Sequence, residues 1–162
     1  MKHPIPAFYQ ENSKILILGS FPSVKSREQG FFYGHPRNRF WTVLARVFDA
    51  EIPETIPEKK QFLIQNRVAV WDVIASCEVK GSADSSIRAV VPNDIRPILQ
   101  DAPIEKIFTN GKTADSLYRK WIYPVSGIEA VCLPSTSPAN ASWSLERLTE
   151  YWWEQLFFCQ GK

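Results

Sequence analysis

Soft metal ligands are scarce in this chain, which has three cysteines and two histidines among 162 residues. Cys77, Cys132 and Cys159 are odd in number, far apart and form no CxxC pair. A structural zinc or iron–sulfur site needs about four well-placed soft ligands. His3 and His35 do not complete such a set, so neither metal nor cofactor is expected. Unpaired thiols point to a reducing, cytoplasmic setting and exclude a disulfide-stapled scaffold. The first residues lack a basic stretch followed by an apolar one, and no apolar run approaches the roughly 20 residues that span a bilayer. An excess of one charge is missing too: 19 Lys and Arg face 17 Asp and Glu. This balance excludes a histone-like polycation yet permits a local basic groove.

Several catalytic signatures are also absent. Gly111-Lys112-Thr113 has the form of the end of a phosphate-binding loop, but the glycine required five residues before Gly111 is Lys106. There is no GxSxG elbow and no HExxH. A Ser–His–Asp triad could draw only on His3, in an amino-terminal segment expected to be loose, or on His35.

The chain does contain a large apolar fraction, 44%, and many rings: 10 Phe, 5 Tyr and 6 Trp, beside 12 Pro. A single domain over residues 1–162 can bury roughly 70% of its unfolded surface. No repeat, low-complexity tract or linker divides it. Four β-branched runs have strand length: Lys14–Gly19, Arg67–Val73, Ile104–Thr109 and Ile128–Leu133. The first is continuously apolar, as suits a strand buried on both faces. Between and after them lie helical spacings: Phe40, Leu44, Val47 and Phe48; Ile95, Ile98 and Leu99; Leu117 and Tyr118; Leu145, Leu148, Trp152 and Leu156. Alternating strands and helices predict a three-layer α/β/α sandwich around a central, mainly parallel four-stranded sheet. Trp71, Trp121, Trp143, Trp152, Trp153, Phe157 and Phe158 fall in these patterns and are expected in the core or in helix packing.

Ligand sites in open α/β sheets gather beyond the carboxyl ends of the strands. Two such ends run into Pro/Ser-rich loops, Gly19-Ser20-Phe21-Pro22-Ser23 and Pro134-Ser135-Thr136-Ser137-Pro138-Ala139-Asn140. Such loops can approach a phosphate or a base closely, or be ordinary turns. Residues 24–46 carry Lys25, Arg27, Arg37, Arg39 and Arg46 against Glu28 alone, interleaved with Phe31, Phe32, Tyr33, Phe40 and Trp41. Cations for phosphates and rings for base faces suit unstacked nucleic acid; a solvated loop whose rings cover the sheet edge is the alternative. Asn38, near a helix start, could cap that helix instead of serving a site. Asp72 and Asp94 are the carboxylates nearest this edge, with Asp94 better suited to capping.

The text from Gly19 to Trp41, GSFPSVKSREQGFFYGHPRNRFW, followed by LPSTSPAN from Leu133 to Asn140, resembles the uracil-DNA glycosylase superfamily, and within it the hypoxanthine-DNA glycosylase branch. Mismatch-specific uracil/thymine glycosylases carry a similar first block, GxNPG…F…HPxNRFW. The departures are specific. Phe21 stands where the mismatch enzymes have a catalytic Asn, and no activating Asp with a thymine-excluding Tyr is present. The second block begins with Leu133 in place of His or Asn.

The resemblance implies a monofunctional DNA repair enzyme, acting as a monomer in the cytoplasm and at the nucleoid, that hydrolyses the N-glycosidic bond of a deaminated base flipped out of DNA. Asn38 would position the water. Ser20, Phe21, Tyr33 and Leu133 would surround the base, with Tyr33 stacking on it. Pro22, Ser23, Lys25, His35, Arg37, Pro134, Ser135, Thr136, Ser137, Pro138 and Asn140 would contact DNA, the Ser/Thr/Pro run as a wedge. A uracil or broad-specificity glycosylase, a non-catalytic DNA-binding protein of the same fold and a protein acting on free nucleotides are the alternatives.

Overall fold

In the computed structural model, residues 1–78 and 88–158 are described. The element order is β1 (Ile15–Gly19), α1 (Val24–Gln29), α2 (Phe40–Val47), α3 (Ile56–Gln65), β2 (Val68–Asp72), β3 (Ile74–Glu78), β4 (Arg88–Pro92), α4 (Arg96–Asp101), β5 (Lys106–Asn110), α5 (Lys112–Leu117), α6 (Tyr123–Ser126), β6 (Ala130–Leu133) and α7 (Leu145–Trp153). π-helical turns over Tyr118–Ile122 and Glu154–Phe158 continue α5 and α7.

The central sheet has the order β2-β1-β5-β6 and all of its pairings are parallel. Successive residues of a strand point to opposite faces, and β1 shows the consequence. Ile15 and Ile17 enter one core with α2, α3 and α7, including Phe40, Leu44, Phe62 and Trp152. Leu16 and Leu18 enter the other with Ile95, Ile98, Tyr118 and Ile122. Two cores on two faces make the three layers expected of this alternation.

Local signals explain the helix ends. Ser144 opens α7 by accepting the Arg147 N–H at 3.1 Å. Gly30 closes α1 in the left-handed conformation, φ 75°. Thr55 and Glu58 form a reciprocal capping box at the start of α3, with proline in its first turn. That T-x-x-E text was legible, although the weak apolar stripe of α3 conceals the helix.

Four expectations are corrected. The amino-terminal segment is not loose: Phe8 exchanges two 3.0 Å backbone hydrogen bonds with Val70, and His3 N–H donates to Ala75 O at 2.7 Å. Phe31 and Phe32 are not displayed on the basic loop but buried in the first core, because the glycine-terminated α1 turns them inward. Trp121, Trp153 and Phe157 are exposed, Trp153 by 43%; Trp153 and Phe157 each sit one position past a buried stripe residue, Trp152 and Leu156, and Phe157 still meets the Phe48 ring edge-on at 5.4 Å. Outside the four runs read from the sequence, β3 and β4 form a separate antiparallel pair. Leu133 is a fully buried core side chain. Trp152 is fully buried, while Trp71 and Trp143 are partly buried against the first core. Cys159 and the side chain of Phe158 lie outside the description.

If Phe32 is core, Phe32→Ala should destabilise the fold by about 3–5 kcal/mol. Equilibrium denaturation checks this; a loss under about 0.5 kcal/mol, typical of surface substitutions, would return the ring to the loop surface.

Candidate functional site

Parallel pairing brings the carboxyl ends of all four central strands to one edge. Across it stand Asp72 on β2, Gly19 on β1, Asn110 on β5 and Leu133 on β6. Adjacent strands are about 4.8 Å apart, so Asp72 and Asn110 flank Gly19 across a span of about 10 Å.

One side of this edge is a directional hydrogen-bond chain. Thr136, fully buried, donates its N–H to Asn110 Oδ1 at 3.0 Å and accepts from Asn110 Nδ2 at 3.0 Å. Its hydroxyl then donates to Asn38 Oδ1 at 2.8 Å. Asn38 Oδ1 also accepts the Phe40 N–H at 3.0 Å, just ahead of α2, whose cap residue is Arg39. Two donors at Oδ1 fix the amide plane and its O/N assignment. The Nδ2 group is left without a protein partner among the described residues.

Arg39 ties this chain to the second loop. Its N–H donates to Thr136 O at 3.0 Å. Its guanidinium reaches the carbonyls of Trp143, Ser137 and Asn140, the last two at 3.1 and 3.0 Å. Asn140 Nδ2 in turn donates to Ser135 O at 3.0 Å. Pro134 O accepts the Trp152 indole N–H at 3.0 Å, and Ser135 Oγ accepts from Ser137 N–H at 3.1 Å. Gly111, at φ 100°, leaves room for Ser135, whose Cβ would stand 3.1 Å from an added side chain. The loop is therefore internally bonded, with Pro138 and Ala139 as its exposed tip.

The other side of the edge centres on Gly19. A Cβ there would collide with Asp72 Oδ1 and stand 3.0 Å from Tyr33 Oη. Tyr33 itself has a left-handed backbone, φ 53°, and stacks on Phe40 with centroids 3.8 Å apart. Its hydroxyl oxygen is buried without a hydrogen-bond partner. Burial first, and the Asp72 carboxylate second, push its phenol far above the ordinary tyrosine range, with the Asn110 side chain opposing them. Asp72 Oδ2 is held at 2.7 Å by His3 Nε2, both side chains almost fully buried.

The remaining expected residues lie nearby in different settings. Ser20 O accepts the Ile74 N–H at 3.0 Å. Phe21, half-buried, meets the His3 ring edge-on at 5.8 Å and carries the Arg27 guanidinium at 5.6 Å over its face. Pro22 is buried, and Ser23 caps α1 by accepting the Ser26 N–H at 3.2 Å. Lys25 is exposed and paired with Glu28 at 3.7 Å. His35 Nδ1 accepts the Arg37 N–H at 3.1 Å, with the Arg37 side chain in solvent. Leu133 offers the edge its carbonyl, which accepts the Gly111 N–H at 2.8 Å. Asp94 caps locally through the Arg96 N–H at 3.0 Å. Among the described residues no group of three His, Cys, Asp or Glu side chains could hold a metal, and no helix is long and apolar enough to cross a membrane.

The profile of the uracil DNA glycosylase superfamily matches residues 6–157. The chain belongs to this superfamily. It is 35% identical over 159 residues to a hypoxanthine DNA glycosylase of Methanosarcina acetivorans, covering 97% of this chain and 98% of that one. A hypoxanthine DNA glycosylase of Methanosarcina barkeri is 30% identical over 141 residues, 86% and 88% of the two chains. The solution NMR structure of a candidate uracil DNA glycosylase from Methanosarcina acetivorans superposes with a TM-score of 0.81 at 34% identity, covering 96% of both chains.

The sequence reading did not assign Asn110, Arg39 or His3 to this edge. Asn110 was recoverable by applying the strand-end rule to the third run as well as to the first and last. His3 had no local signal, being 69 residues from its partner. Removing the Thr136 hydroxyl breaks the chain at its centre: Thr136→Val should cost about 1–3 kcal/mol and loosen Asn38. Denaturation together with side-chain amide NMR of Asn38 checks this, and an unchanged amide spectrum would dissociate Asn38 from Thr136.

Proposed function

We propose that this member of the superfamily is a monofunctional DNA glycosylase that hydrolyses the N-glycosidic bond of hypoxanthine through a water positioned by Asn38. Near full-length likeness to two proteins named hypoxanthine DNA glycosylase supports the substrate. The observation that carries the mechanism is the fixed Asn38 amide, whose oxygen is engaged by Thr136 and Phe40 and whose nitrogen has no described protein partner. A neutral amide cannot act as a strong base. It can hold a water in line with the sugar, which lowers the barrier by orientation.

The substrate must first leave the helix, at a cost of a few kcal/mol that is smallest for a mispaired base. Hypoxanthine opposite thymine meets that condition. Pro138 and Ala139, at the exposed tip of the Arg39-clamped loop, would occupy the gap, while Lys25, His35, Arg37 and the Ser20–Ser23 turn hold phosphates. One face of Tyr33 is taken by Phe40; the flipped base would stack on the other.

In the chemical step the C1′–N9 bond breaks as the water oxygen bonds to C1′. One water proton leaves with the purine and the other remains on the new sugar hydroxyl. Negative charge develops on the departing base, where a preorganised backbone donor in the Phe21 turn would stabilise it; one such donor is worth about 3 kcal/mol. No lysine is required as a covalent nucleophile, so strand-nicking lyase activity is not expected.

Single-turnover assays on oligonucleotides carrying hypoxanthine, uracil, xanthine or a thymine mismatch test this reading. Free hypoxanthine should be released fastest. Tight binding without base release would make the protein a DNA-binding relative. Asn38→Ala should fold and lose about 100-fold or more in release; a near-normal rate would leave Asn38 with capping alone. Tyr33→Ala should lose the equivalent of about 1–3 kcal/mol, as for a stacking contact.

A further inference from the structure

The His3–Asp72 pair lies outside the residues assigned above, on the side of the strand edge opposite Asn38. Backbone pairing delivers His3 there: its N–H donates to Ala75 O at 2.7 Å, and Cys77 N–H donates to Met1 O at 2.8 Å. Phe21, Phe32 and Trp71 then surround the imidazole, with centroids 5.8, 6.3 and 6.4 Å away. The side chains of His3 and Asp72 are only 3% and 5% exposed.

Hydrogen bonding assigns the tautomer. Ile5 N–H donates to His3 Nδ1 at 3.1 Å, so Nδ1 presents a lone pair. Nε2 of the neutral ring carries the proton and donates to Asp72 Oδ2 at 2.7 Å. Asp72 is thereby left with one uncommitted oxygen. Oδ1 has no described hydrogen-bond partner and lies against Gly19, where a glycine alone permits its approach. This oxygen stands at the carboxyl end of β2 beside Gly19 and the Tyr33 hydroxyl, on the same sheet edge as Asn110, which lies two strands away.

We infer that His3 is a positioning residue that fixes the Asp72 carboxylate so that Oδ1 accepts the lactam N–H of a deaminated base. The inference rests on the glycosylase reading above and deepens it. Deamination of adenine turns N1 from a lone-pair acceptor into an N–H donor, and deamination of cytosine does the same at N3. A carboxylate only accepts. It therefore pairs with the altered base and opposes the lone pair of the unaltered one, and a site left with unpaired polar groups rejects the wrong ligand strongly. His3 contributes by denying the carboxylate its other rotamers.

Single-turnover release of hypoxanthine and DNA affinity should be measured separately for His3→Ala, His3→Gln, Asp72→Asn and the His3→Ala/Asp72→Asn double variant. His3→Ala is expected to slow release by about 30-fold or more with DNA affinity within about threefold, because a group acting on the bound base alters chemistry more than DNA capture. His3→Gln, which keeps an N–H donor, should recover to within about fivefold. If His3 acts through Asp72, the double variant should match Asp72→Asn within about threefold. A folded His3→Ala protein with a near-normal rate, a glutamine no better than alanine, or multiplying losses in the double variant would each overturn the inference. Imidazole ¹⁵N NMR tests the pairing without substrate: the Nε2–H tautomer is expected, and the Nδ1–H tautomer would overturn it. Should the wild-type protein release no base while showing Nε2–H, the proposed function fails and the assigned substrate role of the pair falls with it.

Discussion

Strand β1 presents no side chain to solvent: its residues are divided between two cores, and β2 and β5 hold both of its edges. A strand sealed in this way has one freedom left, the direction in which its end emerges. All four central strands run parallel, so their carboxyl ends open on the same side. The polar groups of that edge owe their meeting to hydrophobic burial elsewhere. Gly19 sits at the centre because the strand that terminates in it is the most deeply buried.

The groups on that edge fall into two kinds. Asn110, Thr136, the Asn38 carbonyl oxygen and the Arg39 guanidinium bond chiefly to one another and to loop carbonyls. Buried polar groups paired in this manner contribute little net energy individually, but breaking one exposes the desolvation cost of its partner. They hold the edge stiff. Asp72 Oδ1, Tyr33 Oη and Asn38 Nδ2 form the second kind, polar atoms with no described protein partner. Buried Arg39 Nε and Arg27 Nε also lack a partner among the described residues, Arg39 on the clamp of the second loop and Arg27 beside Phe21.

Much of the architecture was legible because it rests on periodicity. The four apolar runs become the four central strands within two residues, and the stripes led by Phe40 and Leu145 become α2 and α7. That the two Pro/Ser-rich loops meet on one edge was legible by position, since each follows the end of a parallel strand. Ring placement was not. Phe31 and Phe32 neighbour the basic residues in sequence but face the core, because a tight left-handed glycine after α1 reverses the chain. Trp153 and Phe157 each follow a buried residue of the α7 stripe, Trp152 and Leu156, by one position, which turns them off the buried face. His3 was illegible for a different reason: nothing in five residues of text announces a partner at position 72.

The chain of contacts from His3 to Asp72, Asn38 to Thr136 and Asn110 to Thr136 spans sequence separations of 69, 98 and 26 residues. Such long closures are formed late and lost together, since each requires strands already in register. The site has no local nucleus of its own. It is assembled by contacts that only the complete topology brings together. Function in this protein is thereby tied to the cooperativity of the whole domain.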